Sequence, residues 1–121
     1  MDEQTRFTKD DAIDLAASLG AALENELHAQ RVAVQARKHS EYVKAIELER
    51  AYDDELIEGK NADARARSEI LFLHDNRQFV VADQSAIDAE RIHALETVAR
   101  KTTEAEVSLT KAWLYSQARM G

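Results

Sequence analysis

Apolar residues recur along this chain at helical spacing from residue 12 onward. Ala12, Ala16, Leu19, Leu23, Leu27 and Val34 fall on one face of a helix, at steps of three, four and seven residues. The stripe resumes at Ala45, Leu48, Tyr52 and Leu56, with Val43, Ile46 and Ile57 beside it. Between the two runs lie five polar residues, Arg37-Lys38-His39-Ser40-Glu41. They contain neither glycine nor proline, so the helix is expected to continue through them with that turn exposed. Upstream, Thr8-Lys9-Asp10-Asp11 has the spacing of a capping box, with two acids at the positive end of the helix dipole. Residues 1–7 are polar and are expected to stay frayed.

A helix stop and a helix start stand side by side at Glu58-Gly59-Lys60-Asn61-Ala62. Gly59 is suited to the left-handed conformation that closes a helix. Asn61 is suited to accept from the free N–H groups that open the next. Ala62 to Leu73 then reads as helix, and Ile70-Leu71-Phe72-Leu73 is its most apolar part. His74-Asp75-Asn76-Arg77 predicts a kink or short break, with Asp75 or Asn76 as cap. From about Arg77 to Ala118 a long helix is expected. Its stripe is Val80, Ile87, Ala94/Leu95, Val98, Thr102, Ala105, Leu109, Ala112/Trp113 and Met120. Phe79-Val80-Val81 has strand propensity but no partner strand.

The predicted architecture is all-α: a long antiparallel helical hairpin with coiled-coil-like packing, in one domain spanning 1–121. Its first arm is 8–58, its turn 59–61, and its second arm 62–120, kinked near 74–77. A short connection makes neighbouring helices antiparallel. Two helices bury only a narrow seam, so Val43, Ile46, Ile57, Ile70, Phe72, Trp113 and Leu114 are expected to form an interface. Dimerisation would complete a helical bundle. The competing architecture folds back at Asp75 into a monomeric three- or four-helix bundle.

Composition narrows the picture. Thirty-two per cent of the 121 residues are charged, and there is no proline to interrupt a helix. A net charge of −7 argues against tight binding to bare nucleic acid. There is no cysteine, hence no disulfide and no thiolate chemistry. The start, Met1-Asp2-Glu3-Gln4, does not resemble a signal or transit peptide, and no stretch approaches the ~20 apolar residues of a membrane helix. A location in the cytoplasm of a bacterial host is the expectation.

Candidate chemistry is sparse. Glu90-x-x-His93 has the spacing that di-iron bundles use, but His93 is expected to point outward and no second copy of the motif exists. Glu24 and His28 are an i, i+4 pair; His39 and His74 have no matched spacing. Gly59-Lys60 lacks the upstream glycine and following hydroxyl of a phosphate-binding loop. No metal, cofactor or catalytic residue is therefore assigned. Arg31, Arg37, Lys38, Lys44 and Arg50, with His39 among them, form a basic stretch. It reads either as a phosphate-contacting ridge or as a solvated face paired with Glu41, Glu47 and Glu49. Arg65 is expected to pair with Glu58 or Asp63, or to lie across the turn.

Leu56-Ile57-Glu58-Gly59-Lys60-Asn61-Ala62 followed by Arg65 resembles a turn found in small helical proteins encoded by phages and prophages. In that group Gly59, Lys60, Asn61 and Arg65 would be structural turn residues. The resemblance runs over 42–120, with Ala45–Tyr52 as the leading helix and Ala112-Trp113-Leu114 near the end. It implies a non-enzymatic accessory protein without catalytic residues. The expected function is a protein-interaction module acting on replication, recombination or defence machinery. The alternatives are a weak single-stranded nucleic-acid binder using 31–50, and a small metal-binding bundle.

Overall fold

In the computed structural model, which describes residues 8–120, the chain is an all-α helical hairpin. Its helices are α1 (Lys9–Asp53), α2 (Ala62–Asp75) and α3 (Arg77–Met120). The expectations for residues 1–7 and for the Met120 side chain lie outside the described residues. α1 opens on its capping box. Asp11 N–H donates to Thr8 Oγ1 at 3.2 Å, and Thr8 N–H donates to Asp11 Oδ2 at 2.8 Å. Two otherwise orphaned donors are thereby satisfied. α1 then runs unbroken through 37–41.

α1 ends at Asp53, earlier than the Glu58 boundary read from the sequence, and glycine does not end it. Leu56 N–H donates to the Ala51 carbonyl at 2.8 Å and Glu55 N–H to that of Tyr52 at 3.1 Å. These are the paired bonds of a Schellman motif, and Glu55 occupies its left-handed position with φ 59°. A side chain there costs about 1–2 kcal/mol relative to glycine. Gly59 serves a different purpose from the predicted one. Its φ is 150°, and a Cβ would lie 2.6 Å from the Arg65 nitrogen and 2.8 Å from the Ala64 carbonyl carbon. The connecting segment, 54–61, can only run this close to the first turn of α2 without a side chain at 59. Asn61 caps α2 as expected, its Oδ1 accepting from Ala64 N–H at 2.9 Å. Ser68 Oγ accepts from Glu58 N–H at 3.0 Å and fastens the segment to α2.

Asn76 alone makes the second break. Its N–H donates to the Leu73 carbonyl, closing α2, and its Oδ1 and carbonyl accept from Phe79 and Val80, opening α3. Its Nδ2 reaches Glu47 Oε2 on α1 at 3.2 Å. One residue thus caps two helices and ties the junction to a third.

The described residues form two compact units, 30–91 and 8–29 with 92–120. Within 30–91, Tyr52 meets Glu69, Glu47 meets Asn76, and Arg37 meets Asp83 and Glu90, so α2 and the start of α3 return antiparallel along α1. The core here is mostly alanine: Ala33, Ala51, Ala82, Ala86 and Ala89, joined by Leu73 from α2. The unit containing both chain ends buries Ala29, with Leu15, Leu19, Ala22 and Glu26 half-buried on α1 and His93, Arg100, Thr103 and Val107 on α3. Inward positions on α3 step by three and four, as 79, 82, 86, 89 in one unit and 93, 96, 100, 103, 107, 110 in the other.

This seam corrects the predicted stripes. Leu23, Leu27, Val34, Tyr52 and Leu56 of the first arm are exposed, as are Val80, Ile87, Leu95, Val98 and Leu109 of the second. The reason is steric. In unit 30–91 the neighbouring heptad frame is filled with small side chains and the larger residues are left outside it; in the other unit the inward row carries Leu15, Leu19, Glu26, His93, Arg100 and Val107 instead.

Ser40 sits in the alanine row, fully buried, and its Oγ has no hydrogen-bond partner. A desolvated hydroxyl without a partner is destabilising, and serine is a poorer helix former than alanine. Ser40→Ala should raise stability by about 1 kcal/mol, read as a higher urea midpoint at unchanged slope. In the same assay Glu55→Gly should stabilise by about 1 kcal/mol. Gly59→Ala should destabilise by about 1–3 kcal/mol. A neutral Gly59→Ala would contradict the close approach at the turn.

Candidate interaction surface

Two arginine forks join the helices. In unit 30–91, Arg37 donates from Nε and Nη2 to both oxygens of Glu90, at 3.2 and 2.6 Å, and from Nη1 to Asp83 at 2.7 Å. In the other unit, Arg100 Nε donates to both oxygens of Glu26 at 3.0 Å, and its Nη1 lies 2.9 Å from Glu104. The hydrogen bonds from Arg37 and Arg100 hold Glu90 and Glu26 below the usual carboxylate range, with desolvation opposing. Both guanidinium groups are raised in return. Tyr52 is raised by donating to Glu69 at 2.6 Å, which joins the end of α1 to α2.

These contacts change the reading of the basic stretch. Arg37 is fully used as a fork, and Arg50 lies 3.3 Å from Glu47 on its own helix. Arg31 and Lys38 are exposed and Lys44 is half-buried. The pairing of Arg50 with Glu47 matches the solvated-face reading, whereas the role of Arg37 was not legible from its neighbours in sequence. His39 and Val43 border an open groove of about 660 Å³ with Arg77, Gln78 and Val81. The groove holds no clustered carboxylates or other histidines.

Glu90 and His93 do not act as a pair. Glu90 is bound by Arg37, and His93 is half-buried on the seam, close enough to Glu26 to help lower its pKa. The expectation that His93 points outward is therefore wrong. It followed from centring the helix face on Ile87 and Val98 instead of on Ala86 and Ala89. Among the described residues no three His, Asp or Glu side chains gather as a metal site. Glu24 and His28 are exposed, and His74 Nδ1 lies 3.2 Å from Asp75.

At the turn, Lys60 and Arg65 are exposed, and Arg65 makes neither of its expected pairs among the described ion pairs. Its charge instead opposes that of Glu69 at Tyr52.

The residues expected at an interface divide. Ile70, Trp113 and Leu114 are exposed, while Val43, Ile46, Ile57 and Phe72 are half-buried. Far more apolar surface is open than those seven supply. Leu23, Leu27, Ile92, Leu95, Val98 and Leu109 are among the further large apolar side chains left open. Sequence reasoning assigned Leu23, Leu27, Leu95, Val98 and Leu109 to the hairpin core. Their heptad spacing was legible; which neighbour they face was not.

No protein family, curated protein or solved structure matches this chain. No helix among the described residues is long and apolar enough to cross a membrane.

A carboxylate with a lowered folded pKa adds stability that is complete above its unfolded value, about 4.3, and is lost as pH falls through the folded value. The thermal midpoint should therefore stay level from pH 7 to about 5 and fall below about 4. Glu26→Gln should start lower at pH 7 and show a shallower acid fall, followed by circular dichroism melts. Parallel curves for the two proteins would remove Glu26 from the acid response.

Proposed function

We propose that this chain is a non-enzymatic interaction module of phage or prophage type, working in the cytoplasm of a bacterial host. It acts by presenting apolar helix faces to other proteins, including its own copies. One observation carries this reading: among the described residues six of the seven buried apolar side chains are alanine, while Leu23, Leu27, Val34, Leu95, Val98 and Leu109 stay exposed. Leaving large aliphatic side chains wet forfeits about 1.5–3 kcal/mol each compared with burial. Contiguous exposed surface of this kind marks protein interfaces. The turn resemblance at Gly59-Lys60-Asn61-Ala62 with Arg65 supports the phage assignment, and replication, recombination or defence machinery is the proposed setting.

The nucleic-acid reading has less support. Arg37 and Arg50 already face carboxylates, and the net charge is −7. Phosphate contacts would have to displace those pairs.

Light scattering should give a mass above the 13.6 kDa of one chain. Leu23→Glu with Leu27→Glu, both at exposed positions, should leave the helix signal unchanged. A protein that remains monomeric at high concentration, yet binds single-stranded DNA with steep salt dependence, would overturn this reading in favour of the basic stretch.

A further inference from the structure

Resting on the interaction-module reading, we infer that the C-terminal half of α3 pairs with the same segment of a second copy, parallel and in register. Leu95, Val98, Thr102, Ala105, Leu109 and Ala112 step by three, four, three, four and three residues. That is the a/d spacing of a coiled-coil seam. All six are exposed; Leu95, Val98 and Leu109 are 64%, 61% and 72% accessible. They lie roughly opposite the inward row at 93, 96, 100, 103, 107 and 110, so the hairpin itself cannot cover them. The seam has defined ends, with Asp88 and Arg91 in the frame before it and Ser116 after it.

The one hydroxyl in the seam is ready for burial. Thr102 Oγ1 donates to its own helix at the Val98 carbonyl, 2.9 Å away, so covering it leaves no unmet donor.

Charge selects the occupant and its direction. With Leu95 and Val98 taken as positions a and d, Lys101 falls at g and Glu106 at the following e. Residues at g and the next e′ meet across a parallel two-stranded coil. Each copy would therefore set Lys101 beside Glu106 of the other, twice per dimer. Five residues apart, the two do not face each other on one helix. Neither makes an ion pair among the described residues. In an antiparallel coil g meets g and e meets e, and the complementarity disappears.

Direction is read by cross-linking, since the chain has no cysteine of its own. Val98→Cys and Ala112→Cys, each alone, should oxidise to covalent dimers. A mixture linking 98 to 112 in preference to like positions would overturn the parallel arrangement. Charge is read by sedimentation over a concentration series. K101E and E106K should each weaken self-association about tenfold, and the double reversal should restore it. Equal weakening in the double variant would remove the proposed ion pairs. Leu109→Arg, at an exposed position, should abolish the dimer with helix content unchanged. A dimer that survives it overturns this face while leaving the module reading standing. A protein monomeric throughout overturns the pairing and the self-association in that reading together.

Discussion

The close approach of helices through small side chains is the constraint on which this structure depends. An alanine at a contact position lets a facing backbone approach, and little else does so without strain. Ala33, Ala82, Ala86 and Ala89 create that contact in unit 30–91, with Ala51 beside it. The cost is low burial, since each methyl removes little apolar area from water. Leu73 is the only large aliphatic side chain buried among the described residues.

An alanine row also leaves register weakly specified. Sliding α3 by a heptad would exchange Ala82 for Ala89, so packing at that position does not distinguish between the alignments. The polar contacts do distinguish. Arg37 finds both carboxylates only where Asp83 and Glu90 lie, and Arg100 finds Glu26 in the other unit. Such partly exposed pairs add modest stability, but the bidentate Arg37–Glu90 contact gives positional selectivity. Asn76 adds a third marker through Glu47. In this chain packing sets the distance between helices and charge sets their alignment.

That division of labour is what motivates the proposed function. In unit 30–91 small residues fill the seam and large aliphatic side chains remain exposed, and a second row on α3, 95 to 112, has three-four spacing. Among the described residues no three His, Asp or Glu side chains gather as a metal site. The electrostatically distinctive groups, Glu26, Glu90 and their arginines, serve alignment. Among the described residues positive φ occurs in the connection between α1 and α2, where Glu55 holds a glycine-like conformation and Gly59 makes room for Ala64 and Arg65.

Local chemistry was legible in the sequence. The Thr8–Asp11 box, the Asn61 cap, the break at 76 and the unbroken passage through 37–41 each depend on residues within a few positions of one another, where propensity and capping decide. The helix face could not be read in the same way. In unit 30–91 two frames with similar three-four spacing run along α1 and α3, one rich in alanine and one in larger apolar residues, and burial per residue favours the second. Only the tertiary structure showed that backbone proximity favours the first, with Arg37 drawn to acids 46 and 53 positions away in the chain. Periodicity along a helix says which residues share a face; it contains no information on what stands opposite.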